Sequence, residues 1–441
     1  MIKLSDHFDT KRLIKYTFPS IMMMIFTSIY SIVDGFFVSN YAGKTPFAAV
    51  NFIMPVLMIV GCVGFIFGTG GSALIAVLLG EKRRDKANEV FTQNIVVSAL
   101  IGALLAIITF VATPRLAALM GAEGQLLSDS VLYCRINLLS LPFFVLQFHF
   151  QCLFATAEKP RLGLIVTVAA GSANIILDFV FVGIFKWALV GAAAATVISQ
   201  IVGGLAPLIY FGRKNTSLLR LTKFHFNGKA LLKTLTNGSS EFLSNVSMSL
   251  VSMLYNIQLL KYSGENGVAA YGVLMYVGMI FQSIFIGYAV GSAPIVSYNY
   301  GAEHYDELKN LKKRGTSIII ASSIMMLLFG EIFGRPFSRV FVGYDEELLE
   351  ITAHAFAIFS FSFLFSGYSI FGSSFFTALN NGLISALNSV LRTLVFQVLF
   401  VLILPIFFGL DGVWLSIIGA EVAAVFVTIT FMIKLKKRYN Y

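Results

Sequence analysis

Long apolar runs separated by short polar stretches dominate the chain. They fall near residues 13–38, 47–79, 90–112, 130–156, 162–184, 188–211, 230–260, 267–298, 315–334, 350–378, 383–408 and 412–434. Roughly 20 helical residues cross the apolar layer of a bilayer, so every run is long enough to do so. Several are longer, which predicts tilted or extended helices. The runs are unbroken and lack the alternating polarity of a barrel strand. A helix satisfies its own backbone groups in hydrocarbon, so the pattern predicts an all-α membrane protein with twelve transmembrane helices.

The pattern also repeats at an offset of about 221 residues, the kind of self-similarity that defines an architecture. Gly43 with Ala48 and Ala49 matches Gly264 with Ala269 and Ala270, and Gly71-Ser72-Ala73 matches Gly291-Ser292-Ala293. Gly80 matches Gly301, Pro114 matches Pro336, and Gly191 matches Gly412. Each half holds six spans, so both enter the membrane from the same side. This predicts two six-helix lobes related by a pseudo-two-fold axis along the membrane normal. The expected division is an N-lobe at 1–212, a basic linker at 213–228 and a C-lobe at 229–441. Two such bundles enclose a cavity and can rock about it, which is the architecture of a carrier. No selectivity loop, nucleophile or metal constellation points to a channel or an enzyme.

Composition agrees with the pattern: 57% of residues are hydrophobic and only 12% are charged, against roughly 25% charged in soluble domains. A net charge of +10 would suggest a nucleic-acid partner if read alone. Placement argues against one, because 24 of the 32 Lys and Arg fall in the termini and in alternate loops, such as Lys82, Arg83, Arg84 and Lys86. Six lie in the opposite loops: Lys44, Arg115, Lys186, Lys261, Arg335 and Arg339. This asymmetry predicts cytoplasmic termini. The basic N-terminal stretch has no small-residue cleavage site and reads as leading into a retained first helix. Cys62, Cys134 and Cys152 lie in or beside apolar runs without metal-ligand spacing and read as small apolar residues.

An ionisable group inside a span is costly and marks function by default. Asp34 in the first span and Asp178 in the fifth both lie toward the outer side, with Asn174 one turn before Asp178 on the same face. Thr196 of the sixth span reaches a similar depth. Two carboxylates, an amide and a hydroxyl can bind a proton, or Na⁺ through oxygen ligands. At the repeat offset these positions become Tyr255, Leu399, Val395 and Ile417, so only the first half carries the set. The alternative is an interhelical hydrogen-bond cluster that holds the bundle together. Glu241 of the seventh span and Glu421 of the twelfth are candidate counter-charges for a cationic substrate. Arg392 of the eleventh span is a candidate cavity residue and a candidate partner for a buried acid. His149 and His354 read as packing or hydrogen-bonding residues.

The run Tyr30-Ser31-Ile32-Val33-Asp34-Gly35-Phe36-Phe37-Val38, the Asn174/Asp178 spacing, Thr196 and twelve spans in two halves resemble the multidrug and toxic compound extrusion (MATE) family, in its drug-exporting bacterial MepA-like branch. The resemblance covers essentially the whole chain. It implies that Asp34, Asn174, Asp178 and Thr196 form an N-lobe site coupling H⁺ or Na⁺ entry to drug export. By spacing along the fourth span, Tyr133 and Gln151 are expected beside that site. Gln151 and Ser31 each replace an Asn common in relatives. The tenth span, from Thr352 to Ala378, has no Asp or Glu, which leaves out the second acidic site some relatives carry.

The expected function is secondary efflux antiport of amphipathic, cationic compounds by alternating access. The expected protein is a monomer in the bacterial plasma membrane with no cofactor beyond the coupling ion. The alternatives are a lipid-linked precursor flippase of the same broad superfamily and a non-transporting integral membrane protein.

Overall fold

The computed structural model describes residues 2–441, with the side chains of Ala42 and Lys44 outside the described set. Six spans are continuous helical stretches: Thr10–Tyr41, Thr45–Gly80, Arg84–Leu119, Pro160–Ile184, Ala188–Gly212 and Tyr305–Val342, the first, second, third, fifth, sixth and ninth. The fourth pairs Gly124–Leu138 with Leu141–Thr156 across a 60° bend, and the tenth pairs Glu346–Ser360 with Phe363–Ala378 across 49°. Gly228–Gly301 contains 74 residues, which as one straight helix would be about 110 Å long and could not fit one crossing. It turns back at Gly264, whose φ of 60° a side chain would oppose. Gly409, at φ 57°, turns the chain in the same way between the eleventh and twelfth spans. Among the described residues the total is twelve spans, as the hydropathy predicts.

The backbone repeats with the sequence. Residues with left-handed φ recur in pairs about 221 apart: Gly43 and Gly264, Lys82 and Glu303, Glu158 and Asn380, Ala188 and Gly409. All four pairs are connections between spans, so the halves share their turns as well as their helices. The bends after Leu138 and after Ser360 also correspond.

The seam between the halves is symmetric too. A Cβ on Gly80 would overlap the carbonyl oxygen of Tyr298, and one on Gly301 would overlap that of Val77. Gly301 and Tyr298 are the repeat equivalents of Gly80 and Val77, so the second and eighth spans meet reciprocally across the pseudo-axis. Gly70 packs on Gly238 and Gly291 on Thr17, so the packing pairs Gly291 with Gly70 and not with Gly71, one residue from the sequence match. Backbones this close need positions without side chains, the device that brings membrane helices together. These contacts lie in the half of the molecule that carries the termini and most basic residues, called the basic end below. The segment 213–227 is non-helical and is stitched to the third span. The Arg220, Thr222 and Asn227 N–H groups donate to Asn88 Oδ1 (3.0 Å), Thr92 Oγ1 (2.9 Å) and Gln93 Oε1 (2.8 Å).

Candidate functional site

Away from the basic end, the first half holds a cavity of about 600 Å³. Asp34, Tyr133, Asn174 and Thr196 line it, and Tyr276, Met279 and Phe341 of the second half close one side. Asp34 arrives on the first span, Asn174 and Asp178 one helical turn apart on the fifth, Tyr133 on the segment of the bent fourth away from the basic end and Thr196 on the sixth. Asp34 faces both the Asp178 carboxyl and Asn174. Asp178 stands behind Asp34, fully buried. Tyr133 reaches Thr196 and adjoins both acids. The structure therefore brings Asp34, Asn174, Asp178, Thr196 and Tyr133 together.

The two acids are short of donors. Asp34 Oδ1 and both Asp178 oxygens are buried with no hydrogen-bond donor. Two ionised carboxylates packed together repel, and each keeps its desolvation cost. One shared proton would let one carboxyl donate to the other. A monovalent cation bound by carboxylate, amide and hydroxyl oxygens would neutralise the pair as well. Both acids also precede irregular backbone: π-helical turns occupy Val38–Ala42 and Phe179–Ile184, just beyond Asp34 and Asp178. Such turns are frequent at functional sites because they re-aim side chains within a helix.

The second half builds the equivalent place differently. Tyr255, at the position of Asp34, donates from its hydroxyl to Gln397 Oε1 at 2.7 Å and stacks on Tyr271. A neutral hydrogen bond thus joins the seventh and eleventh spans where two carboxyls meet between the first and fifth. Packing alone does not require the acids.

Gln151 does not join the site. It lies 18 residues past Tyr133 and beyond the 60° bend, toward the basic end, with neither side-chain polar atom partnered. Counting along a straight helix hides this separation. Tyr30, Asn137 and Gln200 line the cavity instead. Asn137 could have been found, since it follows Tyr133 by four residues and shares its helix face. Tyr30 opens the run that carries the family resemblance, with no role attached to it there, and nothing in the sequence marks Gln200 among the many polar uncharged residues.

A second, smaller cavity of about 130 Å³ lies between the halves, where Phe65, Thr69 and Cys152 face Glu241, Asn245 and Arg392. Glu421 does not line it. Arg392, on a π-helical turn at Leu391–Val395, holds Glu421 through Nε at 2.9 Å and 3.1 Å to its two carboxylate oxygens. Arg392 also acts electrostatically on Glu241 from across the cavity wall. His149 is buried against Ser98, and His354 meets Asp411 in an exposed pair at the far end. Among the described residues there is no cluster of three or more His, Cys, Asp or Glu suited to a metal ion.

The MatE family model matches the chain twice, over residues 19–180 and 242–403. Curated relatives include the multidrug export protein MepA of Staphylococcus haemolyticus, 27% identical over 97% of this chain and 94% of that protein. The same protein of Staphylococcus saprophyticus is 26% identical over the same shares. Among solved structures, MATE in complex with MaL6 superposes with a TM-score of 0.93 at 24% identity over 98% of each chain. An outward-facing multidrug resistance MATE family transporter of the MOP superfamily also gives 0.93, at 23% identity over 98% of this chain and 97% of that one. With a family match over most of its length, once in each half, the chain belongs to the MatE family of multi-pass membrane transporters.

Proposed function

We propose that this chain is a secondary antiporter that exports amphipathic, cationic, drug-like compounds in exchange for H⁺ or Na⁺. The carrying observation is the buried Asp34 and Asp178 pair in one half, answered by a neutral Tyr255 and Gln397 pair at the equivalent place in the other. A structural role would be served by either pair, and a coupling role only by the acids. The similarity to multidrug export proteins over nearly the whole chain supports the substrate class.

In this reading the lobes at 1–212 and 229–441 rock about their seam, with 213–228 as the linker and both termini in the cytoplasm. Closure at the basic end and a cavity beyond it fit an outward-facing state. An external H⁺ or Na⁺ neutralises the acids, with Asn174, Thr196 and Tyr133 supplying neutral oxygens, and drug is released. Neutralisation favours the inward-facing state, where cytoplasmic drug displaces the ion. Glu241 is the proposed counter-charge in the central cavity. Arg392, the one cation among the described residues lining that cavity, is held by Glu421, which suits a lipid-linked anionic substrate poorly.

The test is dye efflux from proteoliposomes under an imposed pH gradient and, separately, an imposed Na⁺ gradient. One gradient should drive export, and Asp34→Asn should abolish it while the protein still inserts. Undiminished gradient-driven export by Asp34→Asn would overturn the coupling assignment.

A further inference from the structure

Residues 2–9 precede the first span and cross the seam at the basic end. Leu4 and Phe8 are fully buried there. They belong to one apolar cluster with Tyr16 and Ala155 of the first half and Leu308 and Leu311 of the second. The ring of Phe8 meets Tyr16 edge-on at 5.9 Å, and the Tyr16 hydroxyl donates to the Ala155 carbonyl at 2.6 Å.

Two glutamates, one from each half, hold the backbone of this strap. The Leu4 N–H donates to Glu158 Oε1 at 2.7 Å, in the connection between the fourth and fifth spans. The Phe8 N–H donates to Glu307 Oε1 at 3.0 Å, at the start of the ninth span, and His7 Nδ1 lies 2.6 Å from Glu307 Oε2. On the second half, Asn310 Nδ2 donates to the Phe8 carbonyl at 2.9 Å, and Arg314 Nη1 donates to Thr10 Oγ1 at 2.9 Å. The strap continues into the first span, so its polar contacts with the second half must break, or the strap must peel away, before the lobes part at this end.

We propose that residues 2–9 form a clasp that holds the basic end closed and must be released for that end to open. The proposal is separate from the identity of the coupling ion and rests on the alternating-access reading only in assuming that the lobes part. Leu4 and Phe8 supply apolar closure, while Glu158 and Glu307 fix the strap's register on the two halves. Buried N–H groups need their acceptors, so removing either carboxylate leaves an unsatisfied donor and weakens the closed state specifically.

Spin labels on Lys86→Cys and Lys309→Cys, one on each half, would report the separation at this end. Both positions are exposed, while Cys62, Cys134 and Cys152 are buried. Deleting residues 2–8 should raise the wider-distance population at least about tenfold, the scale that loss of one or two net hydrogen bonds alone supports, because it also removes the buried Leu4 and Phe8. The double variant Glu158→Ala with Glu307→Ala should raise it in the same direction, and it keeps the test open if the deletion fails to insert. A parent that widens under an imposed gradient, with strap variants matching it in every condition, would overturn the clasp and leave alternating access standing. A parent with a single distance under all conditions would overturn both.

Discussion

Arg392 and Glu421 show how a charge inside a span is kept. The pair is almost fully enclosed, at 14% and 6% side-chain exposure, so each ion depends on the other for compensation. Arg392→Leu should therefore lower stability by about 3 kcal/mol, the scale of breaking one side of a buried pair. It should appear as a reduced Tm in detergent, and Arg392→Leu with Glu421→Leu should recover most of the loss. Recovery absent from the double variant would show that Arg392 matters through Glu241 or through packing. Most of the outer site was legible at this scale. Asp34 and Asp178 are conspicuous because carboxylates are costly in spans, and Asn174 follows from helical spacing. Gln151 was misplaced because residue counts carry no bend, and Gln200 was silent because a polar uncharged side chain costs little in a span, while Tyr30 stood in the first-span motif without a role.

Spans were legible because hydrocarbon demands length and unbroken apolarity, and the repeat paired Gly43 with Gly264, while the turn at Gly409 carried no mark. The bends in the fourth and tenth spans were not. One follows Leu138 shortly before Pro142, whereas the other, after Ser360, has no proline near it. The π-helical turns after Asp34, after Asp178 and around Arg392 have no sequence mark either, because they change backbone pairing without changing hydropathy. Helix contacts nevertheless make a sharp prediction. Gly80 and Gly301 occupy equivalent places on the second and eighth spans, each under a carbonyl of the opposite helix. Gly80→Val and Gly301→Val should each cost about 1–3 kcal/mol at the closed seam. By pseudo-symmetry they should do so to a similar extent, shifting the spin-label distances described above toward the wider population. A strong effect from one and none from the other would show that the halves do not meet as equals.

Across the whole molecule, the position of the acid pair has an electrical consequence. Asp34 lies seven residues before the end of the first span and Asp178 six before the end of the fifth, so the pair sits about 10 Å along the helix axes from the ends away from the basic end. In the proposed antiport, an ion arriving from that side crosses a shorter stretch of the roughly 30 Å insulating layer than one leaving toward the basic end. Of the ~2.3 kcal/mol that a full charge gains per 100 mV, the larger share is therefore assigned to the release step. Clamping proteoliposomes at a series of potentials should accelerate turnover chiefly under conditions where ion release toward the basic end limits the cycle. Equal sensitivity when ion entry is limiting would place the working carboxyls near mid-membrane. A carrier built from two matching halves would thus have an unequal dielectric path on either side of its charge, set by where one lobe keeps its two acids.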